Sequence, residues 1–96
     1  MSANGFGTIQ IFSTNVGKEL AEKICQDLGI TLGQARLARF KDGEVDVQIL
    51  ESVRGNDVFI VAPTQPPAEN LLEAIYLTEA ARLSSAGRAT LVIPYF

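Results

Sequence analysis

The chain contains no histidine and no tryptophan, and only one cysteine, among its 96 residues. Without histidine it lacks the side chain that most often serves as a general base near neutral pH or as a metal ligand. The lone Cys25 closes no internal disulfide and completes no zinc set, which suits a reducing compartment. No apolar run approaches the roughly 20 residues needed to cross a bilayer. The opening Met1-Ser2-Ala3-Asn4-Gly5 has neither the basic nor the apolar region of a signal peptide. We therefore expect a cytoplasmic protein with no membrane partner. Basic residues are scarce as well: 8 Lys and Arg against 11 Asp and Glu give a net charge of −3. With no basic stripe to displace counterions, nucleic acid is not an expected partner. There is also no Walker-type phosphate loop, no GxGxxG after the first strand, and no Ser/His/Asp or Cys/His set.

What remains is enough for one compact domain, since 47% of the residues are hydrophobic. The organising stretch runs from Phe40 to Gly55 (FKDGEVDVQILESVRG). Asp42-Gly43 is its turn signal, because both residues tolerate the backbone angles of hairpin turns. Alternating patterns flank it, with arms expected over Ala35–Phe40 and Glu44–Leu50. Val45, Val47 and Ile49 fall on one face of the second arm, and Glu44, Asp46 and Gln48 on the other. The arm then enters Glu51-Ser52-Val53-Arg54-Gly55, where hydroxyl and guanidinium donors lie close together.

The rest of the chain alternates strand and helix. Thr8–Phe12 reads as a strand, and Gly5-Phe6-Gly7 before it as a flexible start. Lys18–Leu28 reads as an amphipathic helix, with Leu20, Ile24 and Leu28 stacked and Ala21 and Cys25 widening the stripe. Cys25 is expected as a packed residue, and Gly29 as the helix stop. Val58–Ala62 and Thr90–Ile93 are continuous apolar runs, expected as fully buried strands. Between them a helix over Ala68–Ser85 carries apolar residues nearly all round, which calls for cover on more than one side. This order predicts an α/β fold with a mostly parallel sheet flanked by helices and one β-hairpin. The chain stops at Tyr95-Phe96 directly after a core strand, at the strand end where such folds bind ligands, as if it were part of something longer.

Pattern alone leaves the functional reading open. Asp42-Gly43 reads first as a plain turn. Glu44 and Asp46 read as a cation site or as a solvated strand face, and Arg54 as an anion ligand or a surface charge. Composition alone is compatible with an enzyme fragment, with a noncatalytic regulatory relative or partner subunit, and with an unrelated small binding module.

These same segments resemble the N-terminal part of the ribose-phosphate pyrophosphokinases (phosphoribosyl pyrophosphate synthetases). The resemblance rests on Ile11-Phe12-Ser13, Glu19-Leu20-Ala21-Glu22-Lys23-Ile24, Phe40-Lys41-Asp42-Gly43-Glu44 and the run from Glu51 to Phe59. It continues through Pro66-Pro67, Asn70-Leu71 and Val92-Ile93-Pro94-Tyr95-Phe96, in the family's order and covering nearly everything after Gly7. It implies a phosphoribosyltransferase-like partial domain, with residues 1–96 forming the N-terminal portion of the N-terminal domain. The family's enzymes transfer pyrophosphate from ATP to ribose 5-phosphate with magnesium, and assemble as homo-oligomers. By motif, Phe40, Asp42 and Glu44 are expected to hold the adenine of an ATP bound mainly by a neighbouring subunit. Ser52, Arg54 and Ser85 match the family's regulatory anion site for phosphate or ADP. Two departures stand out. The segment between Pro63 and Asn70 is one residue shorter than the common pattern. The chain also ends before the family's Tyr-Ala-Arg-Gln-Asp segment, so the catalytic loop, the magnesium-binding histidine region and the ribose-phosphate loop lie outside it. The resemblance thus implies no catalytic residue and no magnesium ligand here, and a chain inactive by itself.

Overall fold

The computed structural model describes residues 7–94; Gly5, Phe6, Tyr95 and Phe96, on which two sequence expectations fall, lie outside them. The elements are β1 (Ile9–Ser13), α1 (Lys18–Leu28), β2 (Ala35–Arg39), β3 (Val45–Ile49), β4 (Asp57–Val61), α2 (Ala68–Leu83) and β5 (Arg88–Val92). β1, β4 and β5 form a parallel sheet with β4 in the centre, and β2 and β3 form a separate antiparallel pair. Ile11 stands opposite Phe59, and Ile60 opposite Leu91, while Leu37 faces Val47 in the hairpin. No described helix is long and apolar enough to cross a membrane.

Strand alternation divides the apolar residues between two cores. Ile11 and Val61 meet Ala21 and Cys25 of α1 on one face. Phe12, Val58, Ile60 and Ala62 meet Ala74, Leu77 and Ala81 of α2 on the other, joined by Val53 and by Ala35, Val47 and Ile49 of the hairpin. Fully burying a side chain such as Phe12, Ile60 or Leu77 contributes about 1.5–3 kcal/mol each, so β4, clothed on both faces, is the centre of stability. Gly29 ends α1 in the left-handed conformation (φ 70°), and the Ile30 N–H returns to the Cys25 carbonyl at 3.0 Å.

The structure differs from the sequence expectations in three places. The buried line of α1 is Ala21 and Cys25; Leu20 and Ile24 are half-buried and Leu28 is exposed. Small side chains let the helix approach the sheet closely, and the larger ones flank the seam. α2 ends at Leu83, two residues early, because Ser85 adopts a left-handed backbone (φ 66°) that starts the return to β5. Its buried face is Asn70, Glu73, Ala74, Leu77 and Ala81, while Leu71, Ile75, Tyr76 and Leu83 stay exposed. β5 spans Arg88–Val92 and is only half-buried, since among the described residues it pairs with β4 alone.

Candidate functional site

The hairpin turn collects Phe40, Asp42 and Glu44 at one tip. Gly43 donates its N–H to the Phe40 carbonyl at 3.0 Å, and the Phe40 N–H donates to the Glu44 carbonyl at 2.9 Å. Gly43 takes the positive φ (89°), giving a three-residue loop in which Asp42 keeps an ordinary backbone. The Asp42 side chain instead accepts the Glu44 N–H through Oδ1 at 3.1 Å, which stiffens the loop and leaves Oδ2 for a donor. Residues 40–44 are all exposed, with Phe40 at 53%. A benzyl ring that open offers a face for stacking beside two carboxylates.

The three carboxylates near the tip do not fit a magnesium ion. Asp46 is paired with Arg36 at 3.4 Å and Asp42 is engaged in the turn. Among the described residues no group of three or more His, Cys, Asp or Glu converges as a metal set.

Ser52, Arg54 and Ser85 lie at the opposite end of the parallel sheet. Val53 is buried between Ser52 and Arg54, so both flanking residues remain exposed. Arg54 forms an antiparallel bridge with Ala86, and the Gly55 N–H donates to the Ser85 carbonyl at 2.9 Å. That pairing brings residue 85 beside residues 54 and 55 across a sequence gap of about thirty residues. Asn56 completes the corner: its Oδ1 accepts the Thr8 N–H at 3.1 Å, and its carbonyl accepts the Gly87 N–H at 2.8 Å. A guanidinium and two hydroxyls on one rim suit an anion such as phosphate.

Two buried carboxylates were not foreseen. Asp57, fully buried, accepts Arg88 Nε at 3.0 Å and Nη2 at 2.7 Å, directly across the β4–β5 register. The Asp57 hydrogen bond, helped by its charge, pushes the Arg88 guanidinium further above its ordinary value against the opposing effect of desolvation. Glu73, also fully buried, accepts Arg39 Nε at 2.5 Å, the Asn15 N–H at 2.9 Å and Asn15 Nδ2 at 3.0 Å. Asp57 opens an apolar run, and Glu73 sits at helical spacing inside the stripe Asn70–Ala74–Leu77–Ala81. Cys25 is a core residue; burial first, and the Glu22 carboxylate second, push its thiol above the ordinary value, away from reactivity.

A three-stranded parallel sheet with a helix on each face and an outlying hairpin defines a phosphoribosyltransferase-like α/β architecture. The model of the family described as the N-terminal domain of ribose phosphate pyrophosphokinase matches residues 9–96, and the chain belongs to that family. It is 51% identical over 87 residues to a ribose-phosphate pyrophosphokinase of Xanthomonas campestris, covering 90% of this chain and 27% of the relative. The relative from Haemophilus influenzae is 52% identical over 89 residues, covering 92% and 28%. The crystal structure of phosphoribosylpyrophosphate synthetase from Mycobacterium smegmatis superposes with a TM-score of 0.84 at 28% identity, covering 94% of this chain and 30% of that one. The chain thus spans little more than a quarter of the length of the curated relatives it matches.

Proposed function

We propose that this chain is the adenine-holding and anion-sensing part of a ribose-phosphate pyrophosphokinase, which transfers pyrophosphate from ATP to ribose 5-phosphate in nucleotide biosynthesis. The observation that carries this reading is the convergence of Phe40, Asp42 and Glu44 on one stiff, exposed hairpin tip. Phe40 stacks on the adenine ring, and the Glu44 carboxylate and the remaining oxygen of Asp42 accept its exocyclic N–H. At the other end Arg54 grips phosphate oxygens with its planar fork, and the hydroxyls of Ser52 and Ser85 complete the shell for phosphate or ADP. Magnesium supplies charge neutralisation to the transferred group in the family, and none of these residues is assigned to it.

The 96 residues are expected to be inactive alone, because no side chain among these site residues activates a ribose hydroxyl or stabilises the transferred pyrophosphate. They are read as a cytoplasmic, self-associating chain. Leu71, Ile75 and Tyr76 give α2 an exposed apolar strip of the kind a second copy covers. ATP with magnesium, titrated against the amide signals of residues 40–44, tests the reading. Shifts at the tip, with at best millimolar affinity (about −4 kcal/mol), are expected. An unchanged tip would contradict it.

A further inference from the structure

Arg39 lies one residue before Phe40, so strand alternation sends its side chain to the opposite face of the hairpin. That face is the one through which Ala35, Val47 and Ile49 pack against the core. The apolar grip ends there: residues 40–44 are all exposed, and a two-stranded hairpin by itself is marginal in water. Arg39 supplies the missing hold. Its Nε donates to Glu73 Oε2 at 2.5 Å and its Nη2 to Asn70 Oδ1 at 2.7 Å. Asn70 in turn donates to the Gln65 carbonyl at 2.8 Å, and Glu73 receives both donors of Asn15 from the loop after β1. One buried carboxylate therefore ties the hairpin, α2 and the β1–α1 loop together at the carboxyl end of the sheet.

An apolar residue at 73 would pack at least as well, since buried ion pairs seldom exceed hydrophobic isosteres in stability. What the pair adds is direction, through charge-assisted bonds of fixed geometry. Beside it opens a hollow of about 520 Å³ lined by Asn15, Val16, Arg39, Gln65 and Asn70. Arg39 is the charged side chain among its described lining residues, and Glu73 already neutralises it, so the hollow offers little to a phosphate.

We infer that Arg39 and Glu73 are positioning residues: their ion pair, buried at Glu73 and partly open to solvent at Arg39 and braced by Asn70, clamps the tip-ward end of the hairpin to α2 and presents Phe40 and Glu44 outward. That adenine is what they are presented to rests on the function proposed above. Amide hydrogen exchange on the 96-residue chain, in the unaltered protein and in Arg39→Met and Arg39→Lys, tests the clamp. In Arg39→Met the Phe40 and Gly43 amides should exchange about tenfold faster or more, while the Leu50 amide at the hairpin base and those of β4 change less than about twofold. Arg39→Lys, whose ammonium still reaches Glu73, should recover most of the protection. Equal acceleration at tip, base and sheet would mean a merely structural residue, and no acceleration at the tip would mean no clamp; either overturns the inference. If Arg39→Met does not fold, Glu73→Gln replaces it under the same criteria. An ATP titration separates the two layers of the claim. Loss of about fivefold in affinity in Arg39→Met with rescue by lysine supports presentation to adenine. An unaltered protein whose tip ignores ATP overturns the adenine reading, and the exchange pattern then judges the clamp alone.

Discussion

At the carboxyl end of the parallel sheet Glu73 is fully buried and clasped by Arg39; at the amino end Asp57 is fully buried and clasped by Arg88. The two pairs look alike, yet they fasten different things. Asp57 and Arg88 stand opposite one another in neighbouring strands, so their bond is part of the sheet itself. Glu73 and Arg39 join a helix to a hairpin that belongs to a separate sheet. What each end exposes differs as well: an aromatic ring with carboxylates at the tip, and hydroxyls with a guanidinium around Ser52, Arg54 and Ser85. The same pairing of a buried acid with an arginine can hold a fold together or hold a surface in place, depending on whether it lies within a layer or between layers.

The largest effects come from removing the buried acids. Asp57→Ala is expected to lower Tm by about 15 °C or more, with protection lost throughout β4 and β5. Glu73→Ala is expected to lower it less, by about 5–10 °C, with losses concentrated in the hairpin. Calorimetry and hydrogen exchange on both variants would check this; identical exchange patterns would erase the distinction between the two ends.

A smaller effect is expected at Ser85, which holds a left-handed backbone that disfavours any residue with a Cβ. Ser85→Gly should stabilise the chain by about 1 kcal/mol while weakening any response to ADP or sulfate. Ser85→Ala should weaken that response with no gain in stability, and denaturant unfolding alongside anion titration would separate the two. The smallest expected effect lies at the carboxyl end. Thr14 is buried and its hydroxyl has no hydrogen-bond partner among the described residues, so Thr14→Val should be neutral or stabilise by up to about 1 kcal/mol in urea unfolding.

Much of the fold was legible because its signals are local. The 3.6-residue spacing and Gly29 fixed α1 to the residue, and alternation about Asp42-Gly43 identified the hairpin and the face it buries. That Phe40, Asp42 and Glu44 share one tip was legible for the same reason, since they are neighbours in sequence; their adenine role rests on the resemblance alone. The carboxylates of Asp57 and Glu73 were not, because an acid in a strand or helix pattern ordinarily reads as solvent-facing. Their partners lie 31 and 34 residues away, beyond any periodicity. The exposed strip on α2 was visible as excess apolar residues, but which of them turn inward depends on Asn70 and Glu73 occupying part of the buried face. Ser85 was placed by motif alone; the Arg54–Ala86 bridge and the Gly55–Ser85 hydrogen bond show how it comes beside Arg54.

The central proposal is that the hairpin tip and the corner at the amino end of the parallel sheet serve two different ligands. It is tested most directly by titrating the 96-residue chain with ATP and, separately, with sulfate, following every amide in the unaltered protein, Phe40→Ala and Arg54→Ala. Two separate patches are expected. ATP should move residues 40–44 through its adenine, a response lost in Phe40→Ala and kept in Arg54→Ala. Sulfate should move residues 52–55 and 85, a response lost only in Arg54→Ala. A single shared patch, or sulfate shifts that survive in Arg54→Ala, would contradict it.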